Sequence, residues 1–109
     1  MSNVKLSILT PVYNVKDELG KMIESVLAQT FTEFELILSD DGSTDGSGEI
    51  SHIYAQKDSR VKALHFENGG VSEARNRAVA AAKGEYIGFV DSDDVIEKNM
   101  FERLMKTAY

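Results

Sequence analysis

The sequence contains no cysteine, which excludes disulfide bridges and thiolate metal sites. It also lacks an apolar stretch long enough to span a bilayer, and its first apolar run is short and interrupted by Pro11, so we expect no secretion signal. A basic excess is missing too, since the net charge is −6. Nucleic-acid surfaces need a basic stripe, and nucleic acid is therefore not an expected partner. The absence of cysteine fits a reducing, cytoplasmic location.

Two hydrophobic periods alternate along the 109 residues. Short apolar runs rich in β-formers predict buried strands, and apolar residues at helical spacing predict amphipathic helices. The predicted strands are 4–10, 34–39, 61–66 and 86–90, and the predicted helices are 16–30, 43–57, 71–82 and 100–109. This order predicts an α/β fold with an open, mostly parallel, Rossmann-like sheet that has helices on both faces. We expect one domain over residues 1–109, truncated at its last apolar helix.

Local signals refine the helices. Ser43 or Thr44 is expected to cap the second helix, whose inner face would carry Ile50, Ile53 and Tyr54. Gly84 is expected to end the third helix. Four alanines on one face of that helix predict close packing against the sheet.

Three polar segments, 10–14, 40–46 and 91–94, follow the first, second and fourth predicted strands. Ligands bind at the carboxyl ends of strands in an open parallel sheet, so these segments are expected to share one edge. Two of them are dense in carboxylates, which repel each other when unpaired. A bound divalent cation is the simplest compensation.

The segment after the fourth strand contains Asp91, Ser92 and Asp93. Two carboxylates at i, i+2 can bend toward one point and hold Mg²⁺ or Mn²⁺, which leaves coordination positions for water and phosphate. Asp93 and Asp91 are therefore the candidate metal ligands. A solvated turn in which Asp94 caps the last helix is the structural alternative.

The segment after the second strand begins with Asp40 and Asp41. Gly42 permits a sharp turn, but a turn does not explain two consecutive acids. One carboxylate is expected to face the crevice, where it can accept a hydrogen bond from a pyrimidine imide. Tyr13, in the first segment, is either an anchor for its loop or a platform for a nucleobase.

The start of the third helix offers a second ligand contact. Asn68-Gly69-Gly70 allows close approach of a ligand or only relieves backbone strain. Arg75, one turn later, would pair with a crevice Asp or with ligand phosphate. His52 and His65 have no second His or Cys nearby in sequence, so neither is expected to bind metal or activate a nucleophile.

Taken together, these segments resemble the family 2 glycosyltransferases, which have the GT-A fold. The matching motifs are Thr10-Pro11-Val12-Tyr13-Asn14, Gln29-Thr30-Phe31, Asp40-Asp41-Gly42-Ser43-Thr44-Asp45-Gly46, Ala74-Arg75-Asn76, Gly84-Glu85-Tyr86-Ile87 and Asp91-Ser92-Asp93-Asp94. Any one of them is weak evidence, but together they cover nearly the whole chain in order.

The resemblance implies a nucleoside-diphosphate sugar donor, with a UDP-sugar favoured, a Mn²⁺ or Mg²⁺ cofactor, and inverting transfer to a saccharide or lipid-linked acceptor in polysaccharide biosynthesis. It places Thr10, Pro11 and Tyr13 around the base, which Asp41 would bond. It places Asp91 near the ribose and donor sugar, and Asp93 on the metal. The family's general base lies beyond residue 109, so the chain alone is expected to be inactive. Truncation would expose a sheet edge and apolar surface, so the chain is expected to form homodimers. Any contact with a membrane is expected to be peripheral.

Other functions fit the sequence less well. A sugar nucleotidyltransferase would need a glycine-rich loop where Pro11 and Tyr13 stand. A calcium loop fits Asp41 and Asp45 but fails at His52, where a bidentate Glu is required. A non-catalytic nucleotide-binding or interaction domain remains the broad alternative.

Overall fold

The structure, a computed structural model, describes residues 4–67 and 71–108. Its elements are β1 (Leu6–Val12), α1 (Lys16–Leu27), β2 (Phe34–Asp40), α2 (Ser47–Lys57), β3 (Val61–His65), α3 (Val71–Ala81), β4 (Tyr86–Phe89) and α4 (Met100–Ala108). The alternation of strands and helices predicted from the hydrophobic periods is confirmed. None of the helices in these two described ranges has the length and apolarity needed to cross a bilayer.

The four strands form one sheet in the order β3-β2-β1-β4, and each neighbouring pair is parallel. β1 and β2 are therefore the central strands, and β3 and β4 are the edges among the described residues. The order reverses at β1, because the chain moves outward through β2 and β3 and then crosses back to β4. All four carboxyl ends lie at one edge of the sheet, as the parallel fold predicts.

Helices cover both faces of the sheet, as expected, but unequally. On one face α1, α2 and α4 enclose the larger core, whose largest buried side chains include Phe34 and Phe101, in edge-to-face contact with ring centroids 5.4 Å apart. On the other face α3 packs alone, and Ala78 contacts Leu9 and Ile37. Ala81 and Ala82 pack against the same cluster, as the sequence predicts for these three alanines; the side chain of the fourth, Ala74, lies outside the described part of the structure.

β1 extends through Pro11, so the prediction that proline ends this strand is wrong. Leu9 directs its backbone toward β4, since its carbonyl accepts from the Val90 N–H at 3.2 Å. Pro11, two residues later, faces the same side, where the pairing with β4 has already ended. Its missing N–H therefore leaves no ladder bond unmade.

The capping predictions for α2 and α3 are also wrong. α2 begins at Ser47, after Gly46 with a φ of 102°, because Ser43 and Thr44 are bonded to the loop after β1 instead. Ile53 is 47% exposed and does not lie on the inner face of α2. Gly84 lies three residues beyond the end of α3, and a Cβ there would stand 2.6 Å from the Ser7 nitrogen. Glycine at this position allows close contact with β1.

Candidate functional site

A cavity of about 340 Å³ opens at the carboxyl edge of the sheet, where the loops after β1, β2 and β4 meet. It is lined by Pro11, Val12, Tyr13, Val15, Asp41, Arg75, Asp91, Ser92 and Asp93. The three polar segments singled out in the sequence thus share one cavity. Larger grooves exist elsewhere on the described surface, but this one combines carboxylates from two loops with an arginine and an aromatic ring.

The loop after β1 supplies an aromatic wall. Tyr13 lines the cavity and is 47% exposed, so its ring is not a buried anchor. Thr10, by contrast, is fully buried, and its hydroxyl donates to the Val90 carbonyl at 2.8 Å. Thr10 therefore ties the end of β1 to the end of β4 and lies beneath the lining residues.

The two consecutive acids at the end of β2 have different surroundings. Asp41 lines the cavity although it is only 4% exposed, and its N–H donates to the Val12 carbonyl at 2.9 Å. Asp40 accepts from the Ser43 N–H at 3.2 Å, and its other oxygen lies 3.3 Å from Nδ1 of His65. Asp40 thus shapes the loop, while Asp41 stands at the cavity.

The acids after β4 lie close together. Ligand oxygens of Asp91, Asp93 and Asp94 all lie within 4.8 Å of one another, and the three side chains are exposed. Within the described residues no other group of three His, Cys, Asp or Glu side chains meets in this way. Three hard oxygen donors at an open position suit Mg²⁺ or Mn²⁺, which keep several waters or phosphate oxygens.

Asp94 belongs to this carboxylate group, which the sequence interpretation missed. Its suggested alternative role, as cap of the last helix, is wrong because α4 begins only at Met100. The Asp94 N–H instead donates to the Asp91 carbonyl at 3.1 Å. That tight turn folds the third carboxylate back toward the first two.

A buried amide holds the chain that follows this turn. Gln29, at the end of α1 and 3% exposed, donates to the Glu97 carbonyl at 2.6 Å and accepts from the Phe101 N–H at 3.0 Å. It satisfies a free N–H at the start of α4. In the sequence Gln29 was noted only as part of a motif, and its partners, about 70 residues away, could not be read there.

Arg75 enters the cavity from α3. Its guanidinium carbon lies 5.5 Å from the ring centroid of Phe89, a cation–π distance. No salt bridge joins Arg75 to a described carboxylate, so of its two suggested roles the pairing with a crevice Asp is not observed. Asn68-Gly69-Gly70, the other predicted contact of this helix, lies outside the described residues.

The two histidines are closer than the sequence indicated. The His52 and His65 rings have centroids 6.4 Å apart, and both line a groove beside α2 with Asp40 and Glu49. Their separation in the sequence does not indicate this proximity in space. No third ligand atom completes a metal group with them in the described residues.

Asp45 joins the two helices that start beside the cavity. One of its carboxylate oxygens accepts from the Ser47 N–H and hydroxyl, and the other accepts from the Lys16 N–H at 3.0 Å. Hydrogen bonding, chiefly from the Ser47 hydroxyl, holds the pKa of Asp45 below its ordinary value. The negative charge also faces the positive ends of both helix dipoles.

Residues 7–109 match the family described as Glycosyl transferase family 2. The chain belongs to this family. Its fold matches the N-terminal part of the GT-A fold, as the resemblance implied. Curated relatives include the uncharacterized glycosyltransferase EpsJ of Bacillus subtilis, 48% identical over 103 residues. GlyG of Streptococcus pneumoniae is 48% identical over 100 residues.

Solved structures of TarS from S. aureus have the same fold. TarS 1-349 in complex with UDP superposes with a TM-score of 0.87 at 34% identity, and the match covers 94% of this chain and 31% of that one. TarS 1-349 with UDP-GlcNAc gives a TM-score of 0.83 at 37% identity, over 96% of this chain and 30% of that one. The match to EpsJ covers 94% of this chain and 30% of EpsJ. The match to GlyG covers 91% of this chain and 33% of GlyG. It therefore spans about a third of each relative.

Proposed function

We propose that this chain is the donor-binding half of a longer enzyme that transfers a sugar from a UDP-sugar, with inversion, to an acceptor hydroxyl. The observation that carries the proposal is the cavity at the carboxyl edge, where Tyr13 and Asp41 face the carboxylates of Asp91 and Asp93. TarS, at 34–37% identity, has been solved with UDP and with UDP-GlcNAc. That likeness favours uridine among the nucleotides.

The base is proposed to lie between the loops after β1 and β2. The exposed Tyr13 ring offers a stacking face, Pro11 continues the same wall, and the Asp41 carboxylate accepts the imide N–H of uracil. Because Asp41 is nearly buried, a hydrogen bond to it is shielded from water and discriminates against bases that lack a donor at that position. Thr10 contributes by holding β1 against the end of β4.

The diphosphate is proposed to lie between Asp93 and Arg75. Asp93 and Asp91, with Asp94 beside them, would hold Mn²⁺ or Mg²⁺, which neutralises the charge that develops on the leaving diphosphate. Arg75 lies over the Phe89 ring and forms no salt bridge with a carboxylate in the described part of the chain, so it can turn toward a phosphate oxygen. Asp91 is also proposed to approach the ribose and the donor sugar.

Inversion follows if the acceptor hydroxyl attacks the anomeric carbon as the bond to the diphosphate oxygen breaks. The proton must then go to a general base. We assign that base to the part of the enzyme beyond residue 109, together with the saccharide or lipid-linked acceptor site. A cytoplasmic enzyme that meets a membrane only peripherally, and acts in polysaccharide biosynthesis, fits this proposal.

Calorimetry on the full-length protein tests the nucleotide and the metal together. UDP should bind with Mn²⁺ at least about tenfold more tightly than without it, and more tightly than GDP does. Equally tight UDP binding with and without Mn²⁺ would refute the proposal that a metal ion bridges the carboxylates and the diphosphate. A preference for GDP would keep the fold but correct the base, and no nucleotide binding would favour an interaction domain.

A further inference from the structure

The loops after β1 and β2 are joined at Asn14. The Asn14 N–H donates to the Ser43 hydroxyl at 3.0 Å, and the Asn14 side-chain oxygen accepts from the Thr44 N–H at 2.9 Å. One residue thus makes a donor and an acceptor contact with the same facing loop. Two such bonds fix both the distance and the rotation between the two loops.

The backbone at Asn14 is held in an uncommon conformation. Its φ is 49°, and no other described residue except glycine has a positive φ. Asparagine tolerates the left-handed region better than most residues, yet such a conformation persists only where its surroundings hold it. The Ser43 and Thr44 contacts supply that constraint.

These bonds act next to the cavity without lining it. Asn14 directly follows Tyr13, and Ser43 and Thr44 come two and three residues after Asp41, while none of the three bonded residues is among those that line the cavity. The Asn14 hydrogen bonds therefore join the loop that carries the Tyr13 ring to the loop that carries the Asp41 carboxylate, outside the cavity lining.

A second pair of hydrogen bonds joins the same two stretches of chain. The Val15 N–H donates to the Ser47 hydroxyl at 3.0 Å, and the Lys16 N–H donates to the Asp45 carboxylate at 3.0 Å. Three consecutive N–H groups, from Asn14 to the first residue of α1, therefore donate to side chains between Ser43 and the first residue of α2.

We infer that Asn14 is a positioning residue that fixes the separation between the Tyr13 ring and the Asp41 carboxylate, and so sets the affinity for the nucleobase. This inference rests on the proposed nucleotide site. Asn14 touches no ligand in it; it reduces the ordering that the two loops would otherwise undergo on binding.

The test compares Asn14→Gly with Asn14→Asp in the full-length protein, with UDP and Mn²⁺ as the probe. Glycine at this position tolerates the positive φ but lacks the side-chain oxygen that accepts from the Thr44 N–H. Aspartate tolerates the positive φ and keeps such an oxygen. Loss of one hydrogen bond changes an equilibrium by about three- to tenfold. We expect Asn14→Gly to raise the Kd for UDP by about that factor, and Asn14→Asp to stay within about twofold of wild type.

Stability is separated from positioning by a matched control. Asp58→Ala removes a turn whose carboxylate accepts from the Arg60 N–H at 2.9 Å, at the opposite edge of the sheet. It should lower the melting temperature without changing the Kd, when binding is measured well below the lowest melting temperature. Circular dichroism checks that each variant is folded.

The outcomes distinguish the inference from the proposed function. If wild type binds UDP and Asn14→Gly binds equally well, Asn14 does not position the site. Equal weakening in Asn14→Gly and Asn14→Asp would also overturn the inference. If Asn14→Gly does not fold, Ser43→Ala is the deciding variant, because it removes the hydroxyl that accepts from the Asn14 N–H. It should weaken UDP binding about two- to fivefold. An unchanged Kd for UDP in Ser43→Ala refutes the inference. If wild type itself binds no UDP, the proposed function fails first.

Discussion

β2 and β4 both pair with β1, but their surroundings differ. Every residue of β2 is buried, whereas Tyr86, Ile87 and Phe89 of β4 are 39%, 47% and 51% exposed. The acidic residues at the ends of these strands also differ in exposure. The Asp40–Asp41 pair is almost buried, while Asp91, Asp93 and Asp94 stand exposed beside one another.

The difference separates scaffold from function. Covered on both faces, β2 holds its loop in a fixed shape through bonds within the protein. β4 exposes apolar side chains to solvent, and the loop that follows it carries carboxylates that repel one another. The first region is complete within the described chain, whereas the second would gain stability from a ligand at its end and from a surface over its side.

The largest effect is expected from the chain studied by itself. Without the base and acceptor site assigned beyond residue 109, its rate of acceptor-dependent transfer should fall by about 10²–10⁴-fold from loss of general-base catalysis alone. The open edge and apolar face of β4 should also recruit a second chain. Donor-turnover assays and light scattering on the 109 residues measure both effects.

Two exposed isoleucines make the association test specific. Ile87 on β4 and Ile53 on α2 are each 47% exposed. Ile87→Lys should reduce the dimer, and Ile53→Lys should leave it unchanged. Efficient sugar transfer by a monomeric 109-residue chain would contradict both the expected loss of activity and the expected association.

Next in size is the effect of Asp93→Ala on ligand binding. Removal of one metal ligand should weaken Mn²⁺-dependent UDP binding by about 100-fold, in the range seen when metal sites lose a supporting group. The metal-free melting temperature should hold or rise, because repulsion among the exposed acids is relieved. Glu33→Ala, an exposed acid at the opposite end of the sheet, controls for the change in net charge. A large fall in metal-free stability would mean that Asp93 is structural.

Matched truncations on the two strands measure their coverage directly. Ile37→Ala on β2 removes a fully buried side chain and should cost about 2–5 kcal/mol of unfolding free energy. Ile87→Ala on β4 should cost less than about 1 kcal/mol, because the side chain is half exposed. Urea unfolding of both variants gives the two values. Equal costs would show that β4 is covered in solution.

The smallest effect is the pH dependence at Asp45. Hydrogen bonds lower the pKa of Asp45 in the folded state, so the stabilisation is present above the unfolded value of about 3.9 and is lost as pH falls through the folded value. Asp45→Asn should therefore melt below wild type at pH 7 and approach it below about pH 4. Asp93→Asn, without metal, should shift the opposite way at pH 7. The same sign for both variants would remove the distinction between the two acidic loops.

Much of this protein was determined by the sequence alone. Hydrophobic period is a local property, so the order of strands and helices, the parallel sheet and the edge that gathers the three polar segments all followed from it. The same reasoning brought Tyr13, Asp41, Arg75, Asp91 and Asp93 to one place, and the structure lines one cavity with all five.

Tertiary structure decided which partner each polar group takes. Ser43 could cap a helix or bond a facing loop, and only the position of Asn14 selects the loop. Pro11 is tolerated in β1 because β4 is short, and the Gln29 amide finds its partners about 70 residues away. A hydrogen bond depends on where two distant segments meet. The pattern within each segment does not contain that distance.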